Sequence, residues 1–137
     1  MKRLLIIAVF AMLAACAGHP QQDNAARLGT KVAVAHFIQR AEVPAERAQR
    51  VAAIAREALA RVGDSQTSVE LIEQAVRQQI PWQRLSLVDQ QLADELVVAI
   101  RMELQARVGN GLLAPDQKIA VATVLGWVLE TAEMRRG

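Results

Sequence analysis

Residues 119–129 read IAVATVLGWVL, eleven consecutive positions without a charge, bounded by Lys118 and Glu130. A helix built from them is apolar nearly all round, and such a helix has to be covered by other helices or by lipid. Lipid is the poorer cover, because a bilayer core of roughly 30 Å calls for about 20 apolar residues. The run is therefore expected to be the central helix of a packed domain, with the rest of the chain covering it. Its limits follow from local chemistry. Pro115 suits a first helical position, Asp116 complements the positive helix start, and Arg135 and Arg136 complement the negative end, so the helix is expected over Pro115 to about Met134. Gly126 costs about 1 kcal/mol against alanine inside a helix, which suggests a close helix contact there, under Trp127.

Working back along the chain, each neighbouring stretch also reads as helix. Pro44 to Val62 is the clearest: Ala48, Val51, Ala52, Ala55, Ala58, Leu59 and Val62 share one face, with Arg47, Arg50, Glu57 and Arg61 elsewhere. Gly63 is expected to close it in a positive-φ conformation. Thr67-Ser68-Val69-Glu70 has the spacing of a capping box and should open a helix that ends before Pro81. Trp82 and Leu85 then follow in a loop, expected to cap the core. Ser86 offers an N-cap, with Asp89 in the first turn, for a long helix to Val108 whose buried face takes Val88, Leu92, Ala93, Leu96, Ala99, Ile100, Met102 or Glu103, and Leu104. Gly109-Asn110-Gly111 breaks it. Leu28 to Arg40 is ambiguous, since Val32, Val34, His36 and Ile38 alternate like a strand while Val32, Ala35, His36 and Gln39 share a helical face. Helix is the better reading, because nothing else in the chain offers a sheet to join. The expected fold is all-α, a small bundle of four to five helices over residues 28–137, without internal repeats.

Chemistry is sparse in this domain. Ser65, Ser68 and Ser86 sit at turns and helix starts, and His36 is the domain's only histidine, without companions at metal-ligand spacing. The acidic pairs Glu70 with Glu73 and Asp94 with Glu95 lie among polar helix positions beside arginines. The glycine triplet lacks both the preceding strand and the following Lys-Ser/Thr of a phosphate loop. No catalytic residue, cofactor or metal site is expected.

The N-terminus is of a different kind. Lys2 and Arg3 precede ten apolar residues, Leu4 to Leu13 (LLIIAVFAML), and then small residues, which is the layout of a secretory signal peptide. The run is too short for a stable span. Leu13-Ala14-Ala15-Cys16 resembles the lipobox of bacterial lipoproteins. That resemblance implies cleavage after residue 15, a diacylglycerol on the Cys16 sulfur and a further acyl chain, such as palmitate, on the new amino terminus. Cys16 is the chain's only cysteine, so an exported form has no internal disulfide partner for it. Two or more acyl chains give durable anchoring where one does not. In that family the residue after the cysteine influences sorting, and Ala17, not Asp, implies the outer membrane at its periplasmic face. Residues 16–27 are then expected to be the lipidated cysteine and a flexible polar tether, since AGHPQQDNAAR (17–27) carries Pro20 and no apolar stripe.

Removal of the signal also changes the charge. The chain holds 16 Lys and Arg against 14 Asp and Glu, and loss of Lys2 and Arg3 leaves fourteen of each. No basic footprint for nucleic acid remains, and Phe37, Trp82 and Trp127 are too few and scattered for a base-stacking groove. In outline the domain also resembles small helical proteins encoded in bacteriophage and prophage genomes, through the helix from Asp94-Glu95-Leu96 to Val108, the Pro115-Asp116 start and Trp127. The expected function is a non-enzymatic, lipid-anchored helical protein of the bacterial envelope that binds a protein partner. The alternatives are a phage or prophage lipoprotein in exclusion or lysis, and a cell-wall hydrolase or its modulator.

Overall fold

The computed structural model of the chain describes residues 20–136, and these are all-helical. The expected signal peptide, 1–15, and Cys16 lie outside the described residues. The helices are α1 (Pro20–Gln39), α2 (Pro44–Val62), α3 (Val69–Gln79), α4 (Leu87–Val108) and α5 (Pro115–Met134), with a single 3-10 turn at Trp82–Arg84 between α3 and α4. Among the described residues no helix is long and apolar enough to cross a membrane.

Helix α5 is the hub, packed against α1, α2 and α4, while α3 lies on α2 and α4. Its first half contributes Val121, Val124 and Leu125 to a cluster with Ala58, Val62, Ile72 and Leu104. Its second half contributes Val128 and Ala132 to a cluster with Val34, Ile38, Ala48, Ala52 and Ala55. Cover is nevertheless not all round. Ile119 is 70% exposed, so the buried surface of α5 is a broad stripe through residues 121, 124, 125, 128, 131 and 132.

The N-terminal expectation is corrected most. Residues 20–27 form the first two turns of α1 instead of a flexible tether, eight residues before the expected start at Leu28. Ala26 is buried, Asp23 Oδ1 lies 3.0 Å from Arg107 Nη2, and Arg27 meets Glu130, so partners distant in sequence hold these turns. The face of α1 is also rotated: Ala26, Thr30, Val34 and Ile38, four residues apart, are buried while Val32 is exposed. Arg27 and Lys31 both reach Glu130 on α5, in keeping with the face that the buried Val34 and Ile38 turn to the core.

Local punctuation differs in detail. Gly63 has φ −73°, and the end of α2 tightens through Gly63 N–H to the Ala60 carbonyl; positive φ occurs at Gly109, at 71°. Ser68, one residue later than expected, caps α3 by accepting from the Leu71 N–H. Thr67 is instead buried, and its carbonyl accepts from Leu113 N at 2.8 Å, tying the loop after α4 to the start of α3. Ser86 caps α4 as expected. Val88 and Met102 face solvent, and Glu103 is the residue taken inside. A Cβ added to Gly126 meets nothing within 4 Å, so the expected close contact is absent there.

Candidate functional site

Helices α2 and α4 both lie on α5 but are not packed against each other. The space between them is a groove with a cavity volume of about 380 Å³. Leu125 and Val128 of α5 form its floor. Val51, Ile54, Ala55 and Ala58 of α2 form one wall, and Ala93, Leu96, Val97, Ile100 and Leu104 of α4 the other. Ile72 and Val76 of α3, with Pro81 and Leu85, complete the lining. Sequence explains part of this shape. The inward residues of α2 are mostly alanine, which lets that helix seat closely on α5 but leaves little side chain to reach toward α4.

The groove is polar at one end and apolar at the other. At the polar end Arg47 Nη2 of α2 lies 2.7 Å from Asp89 Oδ2 of α4, a bridge from wall to wall. Arg47 also donates to the Phe37 carbonyl at 3.0 Å, and its guanidinium stands 4.6 Å from the centroid of the Phe37 ring. Glu42, Glu46, Arg50 and Arg84 are exposed on the same rim, and none has an ion-pair partner among the described residues. Along one side Glu73 is shared between Arg77 and Arg101, each at 3.2 Å, and Arg77 reaches Asp94 at 2.8 Å. The hydrogen bond to Asp94 holds the Arg77 guanidinium above its ordinary pKa; burial opposes the shift and Glu73 reinforces it. This network fastens α3 to α4, and the Trp82 indole N–H adds a bond to the Arg77 carbonyl at 3.0 Å. The opposite end, among Ala58, Val69, Leu104 and Leu125, is apolar.

Size and lining place the groove among ligand-holding cavities, which run from about 300 to 1,000 Å³ with apolar walls and a few polar groups.

Residues singled out in the sequence fall elsewhere. Cys16, the one expected modification site, lies outside the described residues. His36 is half-buried between α1 and α4 beside Leu92 and Glu95, away from the groove. The Ser68 and Ser86 hydroxyls are engaged as helix caps, and Ser65 is exposed in a turn. Among the described residues no three His, Cys, Asp or Glu side chains are grouped to hold a metal. Of the acidic pairs, Glu73 and Asp94 enter the arginine network described above. The groove itself escaped sequence reading, although the unusual alanine content of the α2 face was its one visible trace. No family model, no curated protein and no solved structure matches the chain.

Proposed function

We propose that this chain is a lipid-anchored, non-enzymatic protein of the bacterial envelope, held at the periplasmic face of the outer membrane with its helical domain presented for binding. The observation that carries the reading is the sequence Leu13-Ala14-Ala15-Cys16 behind an uninterrupted apolar run and a basic N-terminus. The start of α1 supports a close seat on the membrane. Four residue steps separate Cys16 from Pro20, a reach of at most about 14 Å, and the first turns of α1 are fastened to α4 and α5 through Asp23 and Arg27.

Fractionation of cells producing the wild-type chain and the Cys16→Ala chain tests the anchor. Wild type is expected with the outer membrane, and Cys16→Ala in the periplasmic fraction or retained unprocessed. Unchanged outer-membrane attachment of Cys16→Ala would refute the reading.

A further inference from the structure

We infer that the groove between α2 and α4 binds one linear aliphatic chain, laid along the helices with its polar head at the Arg47–Asp89 end. Its length and narrowness select this class of ligand. The α4 wall runs from Asp89 to Leu104, which at 1.5 Å per residue is about 22 Å. Spread over that length, a volume of about 380 Å³ gives a mean cross-section of about 17 Å². Carbon atoms pack at roughly 3.5–4.0 Å, so a single polymethylene chain fills such a cross-section, whereas a helix is about 10–12 Å across and does not enter it. A cavity of about 150 Å³ holds a six-carbon ring, and on that scale the groove takes about 12 to 16 carbons. The polarity of the groove fixes the direction. The tail lies toward Leu104 and Leu125, and the head lies at the polar rim, where Arg50 and Arg84 stand with Glu42 and Glu46, all four without an ion-pair partner among the described residues. An acyl chain with a compact polar head is the matching chemistry. This inference does not depend on lipidation of Cys16.

Photolabelling tests it. Isolated envelopes carrying the full chain are incubated with palmitate bearing a mid-chain diazirine and irradiated, and the labelled peptides are mapped. Label is expected on the groove segments of α2 and α4, saturable and displaced by unlabelled palmitate. Competitor strength should rise about tenfold for every two carbons and level off near the sixteen-carbon chain, where the groove ends. Ile54→Trp and Val97→Trp, each of which fills the groove from one wall, should cut labelling about tenfold while retaining the helical circular-dichroism spectrum of wild type. Displacement by palmitate alone identifies a free fatty acid, and equal displacement by lysophosphatidylethanolamine identifies single-chain amphiphiles generally; both support the inference. The Cys16→Ala chain, labelled in whichever cell fraction holds it and compared per molecule, is expected to label as wild type does, so failure of the anchor and failure of the groove are separately visible. Label that does not saturate and spreads over exposed residues such as Leu87 and Ile119, or undiminished labelling of both filled variants, overturns the inference.

Discussion

Glu103 is the most deeply buried charge among the described residues, with a side chain 8% exposed and its Oε1 2.8 Å from Arg107 Nε. Arg107 also reaches Asp23 at 3.0 Å and stands 5.3 Å from the centroid of the Trp127 ring, so one guanidinium joins α1, α4 and α5. Removing it leaves a buried carboxylate without its partner. Arg107→Leu is therefore expected to cost about 2–4 kcal/mol in urea unfolding, and adding Glu103→Met should restore most of that loss. Glu130 behaves differently because it is exposed. The hydrogen bond from Lys31, aided by the charges of Lys31 and Arg27 against some desolvation, holds its carboxyl below the usual range. A carboxyl depressed in the folded state stabilises the fold above its unfolded pKa, about 4.3, and that support fades as pH falls through the lower folded value. In a carboxyl-carbon NMR titration Glu130 should have its midpoint below that of an ordinary glutamate, and Lys31→Met should raise it. The Glu130 pairing is not legible in the sequence, because Lys31 and Arg27 lie on another helix. Glu103 and Arg107 have ordinary i,i+4 spacing, but helical periodicity leaves Met102 and Glu103 as alternatives at the edge of one stripe, and the Asp23 and Trp127 contacts that hold Arg107 come from other helices.

At the level of elements, starts and stops were read more accurately than faces. Pro44 and Pro115 open helices and Ser86 caps one, because a fixed φ or a nearby hydroxyl acts within a few residues. Which face is buried depends on distant partners, so α1 is turned away from the face that its own pattern favours, and its first two turns were read as a tether. Inside α5 the run 119–129 was expected to be covered throughout, yet burial is selective. Val124→Ala, at a fully buried position, should destabilise by about 2–3 kcal/mol, whereas Ile119→Ala should stay within about 0.5 kcal/mol of wild type. Gly126→Ala is expected to stabilise by about 0.8–1.0 kcal/mol, since the added methyl meets open space and helix propensity improves. Gly109→Ala should instead destabilise by about 1–3 kcal/mol, because φ 71° with ψ −159° is backbone that essentially only glycine adopts. Chemical denaturation of these four variants checks the ranking and both signs.

Over the whole molecule, periodicity and the absence of any competing strand were enough to read an all-α bundle, since each helix carries its own apolar face. The groove was not readable in this way. It arises because α2 and α4 both pack on α5 without packing closely on each other, meeting at one end through the Arg47–Asp89 bridge, and no local pattern encodes such a gap. The proposed anchor is the reverse case, a reading that rests on four consecutive residues. It would join the parts into one picture: a lipidated Cys16, a few residues of spacer, and a domain whose first helix is fastened to its core by Asp23, Arg27 and Lys31. The most direct test of that picture is the mass of the N-terminal peptide of the protein extracted from membranes. The expected result is a peptide beginning at Cys16 that carries a thioether-linked diacylglycerol and an amide-linked acyl chain. A peptide that begins elsewhere, or one that begins at Cys16 with a free thiol, would contradict it.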